Sequence, residues 1–167
     1  EDFLVNRLGL QHHRFKRGYR NVINESIRLN NEGIVSPLAI ETSGHGALKE
    51  NYFLDDGAYM SVKILIEAVR CKKEGKSIGD LLDGLEEALE TKECRLRILV
   101  DDFKTYGLQV LDDFKVFAKN NNFIVVEPNY EGVRISFNND QVQGWLLVRM
   151  SLHDPILPMN IEANTKG

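Results

Sequence analysis

Two short stretches of the sequence combine side chains that could hold a polar ligand. The first follows an apolar run and consists of Glu41, Thr42, Ser43, Gly44 and His45. A carboxylate, hydroxyls and an imidazole can all exchange hydrogen bonds with the hydroxyls of a sugar, and a glycine lets the backbone approach a ligand closely. An ordinary polar loop has the same composition. The residues alone therefore leave a sugar-binding loop and a plain surface loop as two open interpretations.

The second stretch lies near the end of the chain, where Arg149, Ser151 and His153 are separated by one residue each. Arginine presents a planar fork of donors that suits a phosphate group, and a hydroxyl and an imidazole add further hydrogen bonds. A solvated hairpin with an incidental arginine would have the same pattern. Phosphate binding is thus a hypothesis for this stretch.

Composition narrows the class of protein. With 167 residues, of which 43% are hydrophobic, the chain can bury the core of one ordinary domain or two small ones. The formal net charge of −4 argues against nucleic-acid and membrane-surface partners, which usually need a basic face. The two cysteines are too few for a disulfide framework, and no apolar run is long enough to span a membrane. We expect a cytoplasmic protein.

The elements that must position these stretches can be predicted from periodicity. Residues 56–74 carry apolar side chains at helical spacing, with Asp55 or Asp56 as the N-cap and Gly75 as the stop. The other elements expected in this half are a helix at 22–33, a buried strand at 37–41 and an acidic helix at 80–90 that a Ser77–Asp80 capping box opens.

The second half has a different pattern. A strand is expected at 94–100, where Arg95 and Arg97 alternate with apolar residues and occupy the solvated face. Asp101 can cap a long helix. The apolar stripe of that helix is predicted to be Phe103, Tyr106, Val110, Phe114 and Phe117. Further strands are expected at 123–127, 132–137, 144–150 and 156–162. One helix and a run of strands indicate an α+β layer, so we place a domain boundary at the charged segment 90–93.

The two polar stretches, in this order and at this separation, resemble the C-terminal part of the α-D-phosphohexomutases, the superfamily of phosphoglucomutases and phosphomannomutases. Its third domain carries an E-x-S-G-H sugar-binding loop and a D-D-G sequence before a long helix, and both patterns are present at 41–45 and 55–57. Its fourth domain carries a phosphate loop of the type R-x-S-G/N-T-x-P after a Gly-Trp strand. The residues that match this second pattern are Gly144, Trp145, Arg149, Ser151 and Pro155.

The resemblance implies a fold of α/β plus α+β type. Residues 1–90 would be the C-terminal portion of an incomplete three-layer α/β third domain. Residues 91–167 would be a TATA-binding-protein-like fourth domain, in which an antiparallel sheet packs against a helix. The last helix of that domain is expected to be absent, and we expect the chain to be a fragment of a longer enzyme.

The resemblance also implies roles for individual residues. The expected sugar-binding set is Glu41, Ser43 and His45, supported by Thr42 and Gly44, and the expected phosphate-binding set is Arg149, Ser151, Leu152 and His153. A basic glycine turn near the sugar phosphate would add Lys16, Gly18, Tyr19 and Arg20. Most members have Gly or Asn followed by Thr where this chain has Leu152 and His153.

Catalysis is expected to depend on parts that this sequence does not contain. The S-H-N-P segment of the family's phosphoserine and the D-G-D-x-D-R loop that holds its magnesium do not occur in it. The resemblance therefore implies no catalytic residue and no metal ligand here, with Mg²⁺ bound in the full-length parent and hexose 1,6-bisphosphate as the intermediate. The expected partners are a hexose phosphate and the N-terminal domains of the same enzyme.

Two other classes of function stay open. A noncatalytic interaction module on a mutase-like scaffold is favoured by the unusual Leu152 and His153. A metallohydrolase would use His12, His13, His45 or His153 with an aspartate. Neighbouring His12 and His13 would point to opposite faces of a strand, and the sequence contains no H-E-x-x-H spacing.

Overall fold

In the residues that the computed structural model describes, 1–139, 141–151 and 153–165, helices and short strands alternate first and an antiparallel sheet follows. The chain divides into two units, unit 1 at 1–85 and unit 2 at 86–167. None of the described helices is both long enough and apolar enough to cross a membrane. The predicted assignment of 1–90 and 91–167 to a third and a fourth mutase domain stays a prediction.

Unit 1 is built from two helices and a β-hairpin. Its elements are helix α1 (Tyr19–Asn31), strands β1 (Leu38–Ile40) and β2 (Gly46–Leu48), helix α2 (Gly57–Lys73), a π-helical turn (Phe3–Arg7) and two 3-10 turns (Lys49–Asn51 and Ile78–Leu82). Helix α2 begins at Asp56, whose side chain accepts a hydrogen bond from the Tyr59 backbone N–H at 2.9 Å. It ends at Gly75, which adopts φ +76°. This confirms the helix predicted at 56–74.

The acidic helix predicted at 80–90 is wrong. The expected capping box does form, because Asp80 accepts hydrogen bonds from both the N–H and the hydroxyl of Ser77. It opens only the 3-10 turn Ile78–Leu82, and Gly84 then adopts φ +86°. Because Gly84 is left-handed, the helical turn does not continue into the acidic residues that follow it.

The strand predicted at 37–41 forms, but it is not buried on both faces. It is β1, which pairs with β2 in an antiparallel hairpin, with Leu38 opposite Leu48 and Ile40 opposite Gly46. Only Ala39 of β1 is buried, whereas Leu38 and Ile40 are 40% and 54% exposed. Residues 41–45 therefore form the loop of an antiparallel hairpin.

Unit 2 is a five-stranded antiparallel sheet with one helix against it. The elements are β3 (Glu90–Arg97), helix α3 (Phe103–Asn120), β4 (Ile124–Val125), β5 (Val133–Asn138), β6 (Gln143–Val148) and β7 (Ile156–Ala163). The strand order is β3-β7-β6-β5-β4. The buried core consists of Ile98, Leu111, Ala118, Val133, Ile135, Val148 and Leu157. The fold class predicted from the sequence, an α/β segment followed by a sheet packed against a helix, is confirmed.

Several details of unit 2 differ from the prediction. Asp102, not Asp101, caps α3, because its carboxylate accepts from the Thr105 N–H at 3.2 Å. The charged segment at 90–93, where the domain boundary was placed, forms the first half of β3, paired with β7. The buried stripe of α3 passes through Gly107, Leu111 and Ala118. Tyr106 and Phe117, which were predicted to lie in that stripe, are 51% and 54% exposed because they flank it.

The buried carboxylate of Glu25 attaches the N-terminal segment to α1. Glu25 is 7% exposed and accepts hydrogen bonds from Arg28 at 2.7 and 2.8 Å and from His13 Nε2 at 2.9 Å. The Arg28 hydrogen bond is the main cause that lowers the pKa of Glu25 from 4.5 to about 2, and the His13 hydrogen bond lowers it further. The folded state therefore holds this carboxylate ionised more firmly than the unfolded state does.

The pKa of Glu25 gives a prediction about stability and pH. A lowered folded-state pKa contributes stability that is complete above pH 4.5 and is lost as the pH falls from 4.5 towards 2. We expect Glu25→Gln to lower the free energy of unfolding by about 2 kcal/mol at pH 7 and to flatten its dependence on pH across this window. Urea titrations at several pH values measure both quantities.

Glu32→Gln is the matched control, since Glu32 also contacts Arg28, at 2.6 Å, but is exposed. We expect it to cost less than about 0.5 kcal/mol. If Glu25→Gln kept the full acid sensitivity of the wild type, other carboxylates would be responsible for it.

Candidate functional site

Residues 41–45, the ETSGH loop, form a closed turn between β1 and β2. The Glu41 N–H donates to the His45 carbonyl at 2.9 Å, and the Gly44 N–H donates to the Glu41 carbonyl at 3.0 Å. Gly44 adopts φ +94°, and a side chain there would meet no neighbouring atom within 4 Å. The backbone conformation, not crowding, therefore favours glycine at this position. The closed turn fixes the positions from which Glu41 and His45 project.

The glycine turn before α1 lies beside this loop. The backbone N–H of Gly18 donates to Glu41 Oε1 at 2.6 Å. The rings of Tyr19 and His45 stack, with their centroids 5.0 Å apart and their planes 22° from parallel. The Ser43 hydroxyl lies 3.5 Å from the second oxygen of Glu41, at the limit of a hydrogen bond. Two segments that were predicted separately from the sequence thus form one cluster.

His45 is oriented by Asp55, which sequence reasoning considered only as a possible helix cap and as part of the D-D-G pattern. His45 Nδ1 lies 2.7 Å from Asp55 Oδ2, and Asp55 Oδ1 accepts from the Gly46 N–H at 3.1 Å. Since a carboxylate only accepts hydrogen bonds, we infer that His45 carries its proton on Nδ1. That leaves Nε2 as the ring nitrogen available to a ligand. The D-D-G sequence carried part of this signal, because Asp56 caps α2 and Asp55 is left available for another partner.

The adjacent Asp55 and Asp56 form a matched pair for a test. We expect Asp55→Ala to remove the preference for the Nδ1–H tautomer of His45, because the acceptor is lost. Asp56→Ala should leave the tautomer unchanged and lower the free energy of unfolding by about 1 kcal/mol through the lost N-cap. The ¹⁵N chemical shifts of the imidazole report the tautomer. An unchanged pattern in Asp55→Ala would show that Asp55 does not orient the ring.

The remaining residues predicted for this cluster lie at its edge. Arg20 donates from Nε to the Tyr19 hydroxyl at 3.2 Å, and its guanidinium is 5.8 Å from the centre of the Tyr19 ring. Thr42 and Lys16 are exposed. Neither makes a side-chain hydrogen bond or an ion pair within the part of the chain that the structure describes.

The second predicted stretch extends the β6–β7 pairing in unit 2. The Arg149 N–H donates to the Pro158 carbonyl and the Ser151 N–H to the Ile156 carbonyl, each at 3.1 Å. The Ser151 hydroxyl accepts from the Asp154 N–H at 3.2 Å, which closes the turn. We call the segment 149–155 the phosphate loop, after its predicted function.

Of the two other residues predicted for the phosphate loop, His153 is among the described residues. His153 is exposed, and its imidazole has no hydrogen-bond partner among the described residues. Leu152, also predicted for this set, lies outside the described residues.

Alternation along the strand decides which way Arg149 points. Met150 packs against α3 so closely that a Cβ on Gly107 would lie 2.4 Å from its sulfur. Neighbouring residues of a strand face opposite sides, so Arg149 and Ser151 lie on the sheet face away from the helix. Gly132 approaches the backbone of Arg149, and a Cβ there would lie 2.6 Å from its Cα. A larger residue at 132 would therefore displace the start of the phosphate loop.

Trp145 lies on β6, on the same face of the sheet. Its indole N–H donates to Glu162 at 3.0 Å, and the Arg134 guanidinium lies 3.9 Å from the centre of the ring. The indole therefore has the hydrogen-bond partner that a partly buried tryptophan needs.

Three of the four histidines considered as metal ligands face carboxylates. His12 Nδ1 lies 3.6 Å from Glu1, while His13 and His45 contact Glu25 and Asp55 as described above. In the described parts of the chain, no group of three or more His, Cys, Asp or Glu side chains is placed to hold a metal ion.

Comparison with known proteins gives matches of two kinds, one to a family model and one to solved structures. The family model described as phosphoglucomutase/phosphomannomutase, alpha/beta/alpha domain III, matches residues 2–88, just over half of the chain. Among solved structures, the chain is similar to a phosphoglucomutase/phosphomannomutase family protein from Burkholderia thailandensis, with 27% sequence identity and a TM-score of 0.65. That match covers 91% of this chain and 28% of the other chain. No curated protein matches.

Proposed function

The chain belongs to the phosphoglucomutase/phosphomannomutase family, and from this premise we propose that it is the substrate-holding part of a phosphohexomutase. Such an enzyme interconverts a hexose 1-phosphate and a hexose 6-phosphate. The proposal includes the assignment of 1–90 to the third domain and 91–167 to the fourth. The chain spans 28% of the length of the solved relative, so the N-terminal domains of the parent are its proposed partners.

One observation carries the proposal: a carboxylate and an imidazole are held in place beside a glycine turn in unit 1. Glu41 is fixed by the Gly18 N–H at 2.6 Å, and His45 is fixed by Asp55 at 2.7 Å and by the Tyr19 ring. Groups that are already oriented lose little freedom when they bind, which favours recognition of a ligand with several hydroxyls. Glu41 and Ser43 would bind the sugar hydroxyls, with His45 as a third contact.

The proposed phosphate site is in unit 2. Arg149 would contact the phosphate that does not react, with Ser151 and His153 as further donors. The planar guanidinium can donate two parallel hydrogen bonds to a phosphate. Leu152 could contribute only its backbone N–H. Binding at this distant group orients the reacting end of the substrate, which accelerates a reaction that the chain itself does not perform.

Catalysis is proposed to reside in the rest of the parent enzyme. There a phosphoserine would transfer its phosphoryl group to the hexose monophosphate, and the resulting hexose 1,6-bisphosphate would reorient and return its other phosphoryl group to the serine. Phosphoryl transfer needs a positioned donor and cations that neutralise developing charge. The described residues contain no group of His, Cys, Asp or Glu side chains fit to hold Mg²⁺, and we propose that its ligands belong to the rest of the parent enzyme. We expect the isolated chain to be inactive.

A noncatalytic interaction module is the second candidate. It is favoured by Leu152 and His153, which depart from the phosphate-loop pattern of the family. Such a module would keep the scaffold without binding a hexose phosphate.

Calorimetric titration of the chain distinguishes the two candidates. We expect glucose 1-phosphate and glucose 1,6-bisphosphate to bind, and free glucose to bind much more weakly, because the phosphate contacts are absent. Titration with mannose 1-phosphate tests whether the loop at 41–45 distinguishes mannose from glucose. Absence of binding at millimolar ligand would contradict the substrate-holding function and support the interaction module. Measurable mutase turnover by the chain alone would contradict its proposed inactivity.

The two cysteines, Cys71 and Cys94, are both free. This agrees with the reducing cytoplasm that we propose as the compartment of the parent enzyme.

A further inference from the structure

A second arginine shares the sheet face of the phosphate loop. Arg97 of β3 pairs with Ile156 of β7, and the Ser151 N–H donates to the Ile156 carbonyl from the other side. Directly opposed residues of antiparallel strands point to the same face. Arg97, Ile156 and Ser151 therefore form one row across the sheet, and Arg149 lies on the same face in the next row, which it shares with Pro158 and Arg95.

The face on which this row lies is the one away from α3. Leu96, which precedes Arg97, pairs with Leu157, and Leu157 is 3% exposed in the core. Because side chains alternate along a strand, Arg97 points away from that core, as predicted from the sequence. The Ile98 N–H donates to the Pro155 carbonyl at 2.8 Å, which holds the end of β3 against the phosphate loop.

Arg97 differs from the neighbouring Arg95 in what surrounds its charge. Arg95 donates to Glu93 at 2.7 Å, and this hydrogen bond is the main cause that keeps the pKa of Glu93 below its usual range. The charge of Arg149 also lowers the pKa of Glu93, so Arg149 lies within electrostatic reach of β3. The guanidinium of Arg97 is exposed and, among the described residues, makes no hydrogen bond or ion pair.

Arg97 also lines a depression beside the phosphate loop. The depression has a volume of about 310 Å³, and its lining includes Arg97, Asp101, Phe103 and Pro155. A phosphate monoester carries close to two negative charges at neutral pH, so a single guanidinium leaves much of its charge uncompensated. The Asp101 carboxylate in the same depression would oppose an anion.

We propose that Arg97 is a second phosphate-contacting cation, which binds the phosphate monoester of the substrate together with Arg149. The proposal rests on the proposed function, since it concerns the same phosphate loop. It assigns a ligand contact to a β3 residue that sequence reasoning placed only on a solvated face.

The test compares Arg97→Ala with Arg95→Ala in the full chain, using glucose 1-phosphate and inorganic phosphate as separate probes. We expect Arg97→Ala to weaken binding of both probes about tenfold, the effect of one charge-assisted hydrogen bond. Arg95→Ala should change either affinity less than about threefold, since Glu93 already engages that guanidinium. Asp101→Asn should tighten binding, because it removes a repulsive charge. The Nε–Hε NMR signal of Arg97 should shift on addition of inorganic phosphate.

The outcomes separate this inference from the proposed function. If Arg149→Ala abolishes binding while Arg97→Ala binds like the wild type and the Arg97 signal is unmoved, Arg97 makes no contact and the proposed function stands. If the wild type binds neither probe, the proposed function and this inference both fail. If inorganic phosphate alone binds and Arg97→Ala weakens it, the contact is supported and the hexose specificity is contradicted.

Discussion

Arg149→Ala is expected to weaken binding of glucose 1-phosphate by at least about 100-fold. The half-buried side chain of Arg149 lies on the sheet face away from α3, at the start of the phosphate loop, where Gly132 approaches the Arg149 backbone. Alanine would remove both hydrogen bonds that the guanidinium fork is proposed to donate to the phosphate, together with the positive charge that is proposed to be its main partner. Isothermal titration of both proteins with the same ligand measures the effect.

Arg149→Lys serves as the graded control. It keeps the positive charge but cannot donate two parallel hydrogen bonds, so we expect a loss of about tenfold. Equal affinities of the wild type and Arg149→Ala, with both proteins folded, would show that phosphate is bound elsewhere.

Glu41→Ala is expected to weaken glucose 1-phosphate binding about 100-fold while leaving inorganic phosphate binding unchanged. The carboxylate would bind sugar hydroxyls and also accepts from the Gly18 N–H at 2.6 Å. Its removal therefore takes away a ligand contact and loosens the glycine turn beside it. Arg149→Ala should weaken both ligands, so the two variants separate sugar recognition from phosphate recognition.

Ser43→Ala is the matched control within the same loop. Its hydroxyl lies 3.5 Å from Glu41 and holds nothing firmly in place. We expect its loss to weaken glucose 1-phosphate binding about threefold. If Glu41→Ala weakened inorganic phosphate as much as the sugar phosphate, the proposed separation of the two loops would be wrong.

Local signals in the sequence were sufficient to predict much of the fold. Helix α2 could be predicted because its cap, apolar period and terminal glycine lie within one continuous segment. The acidic helix at 80–90 could not, since a capping box starts a helical turn but does not decide how far it continues, and Gly84 adopts a left-handed conformation instead. The stripe of α3 was predicted in part: Phe103, Val110 and Phe114 pack against the core, whereas Tyr106 and Phe117 are exposed. Helical spacing did not show that the small residues Gly107 and Ala118 occupy the centre of the contact.

The residues of the candidate site could be predicted from the sequence better than their contacts could. Spacing and residue type predicted Glu41 and His45 as site residues. Their hydrogen-bond partners, Gly18 and Asp55, lie 23 and 10 residues away in the sequence. The bond from Gly18 to Glu41 depends on how the turn before α1 meets the hairpin. Alternation along β3 predicted the outward direction of Arg97, but only the register of β3 on β7 places it in the row of the phosphate loop.

The central proposal is that residues 41–45 bind the sugar and that the phosphate loop binds the phosphate. Its most direct test is to titrate the ¹⁵N-labelled chain with glucose 1-phosphate and with inorganic phosphate and to map the changes in backbone amide chemical shifts. We predict that glucose 1-phosphate shifts the amide signals of both Gly18 and Gly44 in unit 1 and of Ser151 and His153 in unit 2. Inorganic phosphate should shift only the two unit 2 signals. Shifts confined to other surfaces, or identical maps for the two ligands, would contradict the account.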